Sequence, residues 1–336
     1  MTRAPCARAT RGVSLIQLLV GMSLGVTVAG ALGTFFVQGS RSSREDINVA
    51  SMLNELGFAM GQLGVDLEMA GFWAQAHDPN AIDADSTLAI TGTDCGPSGW
   101  YRDLRALQIL DNATAAEMHA EFPCLATDDL VGGTDVIAIK RVLGRVAGTH
   151  ADSSQLRAGT LYLRSHDRFG LLYRHGGGTP RTVETPYEDW QYAPTVYYVQ
   201  RYTVSATESP LVPALCRMTL QSASGGAPAF VRDCVAQGIE NLQIEIGVDD
   251  DDDGSANYFE PSPNTAQLRN ASTARIYLLA RSVRSDLNYV NAKSYQIGNM
   301  RDPFAPEGEQ VHFYRKTLST EVSLRNPRAL QGVAVQ

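Results

Sequence analysis

The chain begins polar, turns wholly apolar, and then becomes one-sided. Residues 1–12 carry Arg3, Arg8 and Arg11 and no acid. Residues 13–37 hold no charged side chain, and the first carboxylate is Glu45. At a rise of about 1.5 Å per residue, a helix over that run crosses a hydrocarbon core of roughly 30 Å with some tilt. The run is longer than the roughly 7–15 apolar residues of a signal-peptide core. On composition alone an ordinary signal anchor fits it equally well. Beyond it, Val49, Met52, Leu53, Leu56, Met60, Leu63, Leu67 and Ala70 recur at steps of three and four, with Asn54, Gln62, Asp66 and Glu68 on other faces. That period predicts a helix with one face on a core. A continuous helix from Val13 to near Ala70 would be roughly 85 Å long. Gly21, Gly25, Gly30, Gly33 and Gly39 each cost about 1 kcal/mol relative to alanine in a water-exposed helix. In an apolar setting they permit close helix approach instead.

Residues 75–130, rich in Asp, Gly, Ala and Pro, read as an irregular connector with one short strand and a short helix around 113–120. Strand patterns then take over. Strands are predicted over 135–142, 160–164, 195–202, 241–248 and 274–281. Leu242, Ile244, Ile246 and Val248 fall on one face, as the period of two requires. Residues 215–220 and 230–235 predict a hairpin about Gly225-Gly226, and 312–324 a bent or bulged strand. Tyr197, Tyr198 and Tyr202 read as sheet packing rather than a ligand platform. The arrangement is α+β.

The chain has 336 residues, 44% hydrophobic and 19% charged, enough for one membrane segment and one or two globular domains. Its formal charge of −8 disfavours a nucleic-acid partner. Cys6 lies in the leader, and Cys95, Cys124, Cys216 and Cys234 form an even set. In an exported domain such a set implies two disulfides, with three connectivities open. Cys95–Cys124 and Cys216–Cys234 are favoured, because each pair is near in sequence and closes a short loop. Export fits the arginines of the leader, which slightly outnumber Arg41 and Arg44 after the apolar run. Catalytic patterns are lacking: the six histidines are scattered, and Gly176-Gly177-Gly178 has no lysine following it as a phosphate loop would. No enzyme is expected.

The stretch Arg11-Gly12-Val13-Ser14-Leu15-Ile16-Gln17-Leu18-Leu19 resembles the type IV prepilin signal. Three later segments resemble the PilW family of minor pilins. They are Asp66-Leu67-Glu68-Met69-Ala70-Gly71-Phe72-Trp73, Ala274-Arg275-Ile276-Tyr277-Leu278-Leu279-Ala280-Arg281-Ser282, and the run from Tyr314 to Asn326. Glu68 replaces the family's basic residue, and no cysteine follows Trp73 closely. The resemblance implies a leader over 1–12 cut between Gly12 and Val13, with the new amine methylated. It implies a long helix over 13–73, its residues 13–37 in the inner membrane, and a mainly-β domain over 74–336 in the periplasm. The fold implied is pilin-like, with the second half of the helix on an antiparallel sheet and Gly71 as a left-handed helix cap. The partners implied are prepilin peptidase, the major pilin, other minor pilins and a tip adhesin. The role implied is priming of pilus assembly, with twitching motility and adhesion downstream. The family's glutamate at the fifth mature position, thought to pair with a neighbour's amine, is here Gln17. An amide accepts a hydrogen bond but leaves the amine's charge in place, which suits a subunit at the filament tip. A type II secretion pseudopilin of related sequence fits the same pattern.

One motif stands apart from that resemblance. Residues 249–260 satisfy D-x-[DN]-x-[DN]-G-x5-E. Asp249, Asp251 and Asp253 present alternate carboxylates, Gly254 allows a sharp turn, Ser255 offers a carbonyl, Asn257 acts through water, and Glu260 closes the shell around calcium. Neither flank is an EF-hand helix, and a solvated acidic turn explains the motif as well. A membrane-anchored calcium-dependent adhesin or hydrolase is the function from another class that this motif would allow.

Overall fold

The computed structural model describes residues 14–326 apart from 77, 87, 179, 181–182 and 223–225. Gly12 and Val13 therefore lie outside the described residues. Helix α1 spans Leu15–Glu68. It is the one described helix long and apolar enough to cross a membrane. Ser23, Thr27 and Thr34 donate their hydroxyls to the carbonyls of Val20, Leu24 and Ala31 at 2.9, 2.8 and 2.7 Å. The hydroxyls are thus satisfied within the helix, so no partner outside it is needed. The chain divides into two compact units, the first ending at Ala50 and the second beginning at Ser51.

In the second unit the chain runs through β1 (Ile82–Ala84), β2 (Leu107–Ala113), α2 (Ala115–Glu121), β3 (Thr134–Ile139), β4 (Val142–Thr149), β5 (Leu161–His166), β6 (Phe169–Arg174) and β7 (Glu188–Tyr192). It continues through β8 (Thr195–Gln200), β9 (Ala214–Gln221), β10 (Ala229–Gln237), β11 (Ile239–Val248), β12 (Tyr258–Glu260), α3 (Thr265–Arg269), β13 (Ala271–Arg281) and β14 (Arg315–Ser323). The strands form three sheets, ordered β1-β6-β5-β7-β4, β10-β9-β8-β3-β2 and β12-β11-β13-β14. The named strands pair antiparallel, as expected, except that β1 pairs with β6 in parallel.

The predicted strand 135–142 breaks at Lys140-Arg141: residues 135–139 lie in β3 of the second sheet, and Val142 opens β4 of the first. The break has a cause. Lys140 is fully buried and donates Nζ to the carbonyls of Trp100 and Asp103 at 2.7 and 2.8 Å, with the Trp100 ring 3.8 Å away. Burial pushes its ammonium down to about 7. The predicted bend in 312–324 is instead a 3-10 turn, Gly308–His312, followed by a strand that pairs with β13 without any shift of register. The connector 75–130 is more ordered than expected. It holds β1, β2 and α2, the last opened by a reciprocal capping box between Thr114 and Glu117.

The buried stripe of α1 is nearly the one predicted. Met52, Leu56, Met60, Leu63 and Leu67 are buried, joined by Ala59 and, just past the helix, by Ala70, while Val49 is half-buried. Leu53 is not among them and stands 48% exposed, one residue around the helix from the stripe. Asp66, expected on an outer face, is buried at 7% exposure. It lies three residues after Leu63, on the stripe itself, and is held there by partners described below. Past Glu68, Gly71 takes the left-handed conformation at φ 71°, as predicted, but its N–H donates to Lys140 O rather than back into the helix. Val142 N–H in turn donates to Phe72 O at 2.9 Å. In β11, Leu242, Ile244, Ile246 and Val248 are all fully buried.

Candidate functional site

Two regions carry the chemistry singled out in the sequence: α1 with its supports, and the acidic turn between β11 and β12. At the start of α1, Ser14 N–H donates to Gln17 Oε1 at 3.2 Å. The side chain of Gln17 therefore caps the first turn, one half of a Ser-x-x-Gln capping box. The spacing Ser14-Leu15-Ile16-Gln17 carries that signal in the sequence itself, apart from the missing carboxylate.

Within the second unit, α1 rests on a polar cluster. Asp66 accepts from Arg141 Nε at 3.1 Å and from the Tyr197 hydroxyl at 2.6 Å. Arg217 reaches Gln62 and Tyr197 at 3.4 Å each and pairs with Asp233 at 2.8 Å. Burial, and then the neighbouring Asp66 carboxylate, push the Tyr197 phenol up, so the hydroxyl stays a donor. Glu55 accepts from Gln237 N and Nε2 at 3.1 Å each, fixing the helix against the end of β10. Leu53 lies at the edge of the stripe and Phe58 and Val65 on the opposite face, 48%, 53% and 55% exposed, and a Cβ added at Gly57 or Gly61 would meet nothing within 4 Å. Leu53, Gly57, Gly61 and Val65 form one i+4 row, the kind of row that packs into a groove of another helix.

The disulfides join Cys95 to Cys124 and Cys216 to Cys234. Cys216 and Cys234 lie directly opposite in the β9–β10 pairing, and the turn of that hairpin lies partly outside the described residues. Cys95 packs with Trp100, Met118, Phe122 and Leu125 in a core shared with β3, β8 and β9. Tyr198 belongs to the same core, and Tyr197 and Tyr202 are also buried.

In the acidic turn, one oxygen from each of Asp249, Asp251 and Asp253 lies within 4.8 Å of the others. Asp249 is half-buried and accepts from Asp253 N and Gly254 N at 3.3 and 2.8 Å. Burial opposes its charge, and those backbone donors outweigh it, leaving its pKa below the ordinary value. Gly254 takes φ 87°, a turn that favours glycine. Ser255 donates its N–H to Asp253 Oδ1 at 2.7 Å, and Asn257 Oδ1 accepts from Asp250 N at 2.6 Å. Glu260 is carried away from the carboxylates. It pairs opposite Ile246 in the β11–β12 register and accepts from Ser262 N at 3.2 Å.

The strands from β8 onward, with the sheet β12-β11-β13-β14 complete among them, are the part of the chain that aligns with a known family. Residues 196–326 match the family of type IV pilus-assembly protein W. The PilW match contains the segments 274–282 and 314–326 that resembled it in the sequence, while the prepilin-like signal and residues 66–73 lie outside the matched range. No curated protein sequence matches the chain. Among solved structures it is similar to a type IV-like pilin from Thermus thermophilus, at 12% identity, covering 82% of this chain and 96% of that chain with a TM-score of 0.38.

Proposed function

We propose that this protein is a minor pilin that takes part in type IV pilus assembly. The observation that carries the reading is the PilW match over residues 196–326 on a chain whose α1 opens with an uncharged, membrane-length run. In this reading the chain is inserted in the inner membrane through residues 13–37, with the leader on the cytoplasmic side and the globular head, residues 74–336, in the periplasm. Prepilin peptidase removes residues 1–12 and leaves a methylated Val13. The subunit joins other minor pilins to prime the filament and stays near its tip, where an adhesin and the major pilin are its neighbours. The exposed row of Leu53, Gly57, Gly61 and Val65, with Phe58 beside it, is the surface offered to another subunit's helix.

Mass spectrometry of sheared filaments tests incorporation and processing together. The expected result is a peptide starting at methylated Val13 in the filament fraction. Phe58→Asp is expected to cost under about 0.5 kcal/mol in stability, as an exposed substitution does, while lowering the protein in sheared filaments at least about tenfold, the loss that a charge buried at an interface produces. An intact Met1 leader in peptidase-competent cells, or a Phe58→Asp protein incorporated normally, sinks the reading.

We also propose that the acidic turn takes calcium through Asp249, Asp251 and Asp253, with backbone carbonyl and water completing the oxygen shell that the ion prefers. The three gathered carboxylates support this, since their mutual repulsion is relieved by a cation. Calcium at a hundredfold excess over its dissociation constant is expected to stabilise the fold by about 2.7 kcal/mol, with magnesium a poor substitute. Asp251→Asn is expected to weaken the effect and Glu260→Gln to leave it unchanged. Melting curves that coincide in calcium and in chelator would falsify the site.

A further inference from the structure

A cleft of about 890 Å³ opens between the second and third sheets, closed on one side by the chain from Met300 to Ala305. Its volume lies within the range of small-molecule sites. Both sheets are irregular where they meet it. The register of β2 against β3 shifts between Leu110 and Ala113, and Asn112 there takes φ 45°. The register of β11 against β13 shifts between Ile239 and Asn241, so Glu240 is the extra residue of a bulge. Such bulges re-aim side chains. Asn112 holds the far wall, donating Nδ2 to Asn299 O at 3.0 Å and accepting from Arg301 N at 3.4 Å. Glu240 is turned toward two buried arginines.

Those arginines give the cleft its character. Arg315 takes both oxygens of Glu240, at 2.7 and 2.9 Å. Arg281, which lines the cleft and is 3% exposed, is 3.6 Å from Glu240, beyond hydrogen-bond distance. Its other nitrogens donate to Gln310 and to Leu211 O, and its guanidinium lies over the Phe313 ring at 4.0 Å. Its Nε–H has no hydrogen-bond partner among the described residues. Burial lowers its pKa from the ordinary arginine value, the mark of a cation held short of compensation. Two guanidiniums against one carboxylate leave one positive charge over, buried at the cleft wall. Leaving such a charge without a counter-ion is costly. At the mouth, Arg201 and Arg301 outnumber Asp302. Leu130, Leu279, Met300 and Phe304 supply apolar walls.

We propose that this cleft binds a small organic carboxylate with an apolar body, its carboxylate taken up at Arg281 and its body lying against Leu279, Met300 and Phe304. The single surplus charge selects the class. One carboxylate neutralises it, whereas a phosphate dianion would bring a second buried charge with nothing buried to meet it. A guanidinium N–H donated to a carboxylate is a charge-assisted hydrogen bond, and Arg281 has its Nε–H uncommitted. This inference does not depend on pilus assembly, and its test reads binding alone.

The test is calorimetric titration of the full chain in detergent with N-acetyl-leucine, its uncharged amide, and inorganic phosphate. N-acetyl-leucine is expected to bind near about 1 mM, and the amide and phosphate at least about tenfold more weakly. Ala305→Trp, which fills the exposed side of the cleft without touching its charges, is expected to weaken N-acetyl-leucine at least about tenfold, and Arg301→Gln about two- to fivefold. Because Arg281→Gln removes a buried anchor and risks the fold, Ala305→Trp is the deciding variant, checked for unchanged melting. Acid and amide binding alike, phosphate binding as tightly as the acid, no heat from the acid up to about twenty times the expected constant, or Ala305→Trp without effect would each overturn the assignment.

Discussion

Replacing Asp66 by alanine is expected to destabilise the fold by about 3–5 kcal/mol, the cost of breaking a buried ion pair from one side. The helix places this carboxylate at 7% exposure, between Arg141 and the hydroxyl of Tyr197. Without it the Arg141 guanidinium, whose side chain is 13% exposed, keeps its charge and loses its counter-ion. Tyr197 loses its acceptor and turns to Arg217, which is itself a donor. The loss should therefore exceed that of a single neutral hydrogen bond, which is about 1 kcal/mol. Removing both charges gives the contrast. Asp66→Leu with Arg141→Met should recover most of the stability, since apolar replacements of a buried pair are often neutral or better. Denaturant melts of the full chain in detergent measure both. A cost under about 1 kcal/mol for Asp66→Ala would mean that water reaches the pair and screens it.

Removing the Cys95–Cys124 bridge, as Cys95→Ser with Cys124→Ser, is expected to cost about 3–4 kcal/mol by chain entropy for a separation of 29 residues. The observable consequence should be local as well as global. The segment between the two cysteines contributes one full strand, β2, and the single helix α2, so little backbone pairing holds it if the bridge is gone. Trp100, Met118, Phe122 and Leu125 would lose their anchor at Cys95. Hydrogen exchange should rise first across residues 95–125. The other bridge provides the comparison, because Cys216 and Cys234 already face each other in an extended antiparallel pairing. Its removal should leave the hairpin in register and raise exchange less. Equal protection of residues 95–125 with and without the first bridge would count against this division of labour.

The parts legible in the sequence are those with local periodicity. The apolar stripe of α1 and the buried face of β11 follow directly from steps of three and four and from steps of two. Where the pattern failed, a distant partner decided. The charge of Asp66 points outward by local pattern, but its two partners, 75 and 131 residues away, hold it inside. The strand β7, Glu188-Asp189-Trp190-Gln191-Tyr192, gave no strand signal because it opens on two acids. Asp189 is nevertheless fully buried, gripped by Arg164 at 2.8 and 3.0 Å. β1 has only three residues, too few for any period, and its parallel partner is remote. Lys140 looked like one more residue of a strand; its buried ammonium, tied to Trp100 and Asp103, is what splits that strand between two sheets. At the acidic turn the motif was plain in sequence, but the register of β12 was not, and that register carries Glu260 away from the three aspartates. The cleft beside Arg281 left no motif at all, since its lining comes from bulges and loops scattered over two hundred residues of chain.

The end of α1 has a mechanical consequence. Gly71 N–H is bonded to Lys140 O, Val142 N–H to Phe72 O, and Asn326 Nδ2 to Ala70 O at 3.1 Å. A load drawn through the last turn of the helix is therefore shared at once between the β3–β4 junction and the chain just after β14. Those bonds, with Trp73 and Ala76 buried beyond them, hold residues 69–76 against being drawn out as slack, which stiffens a short, turn-rich joint.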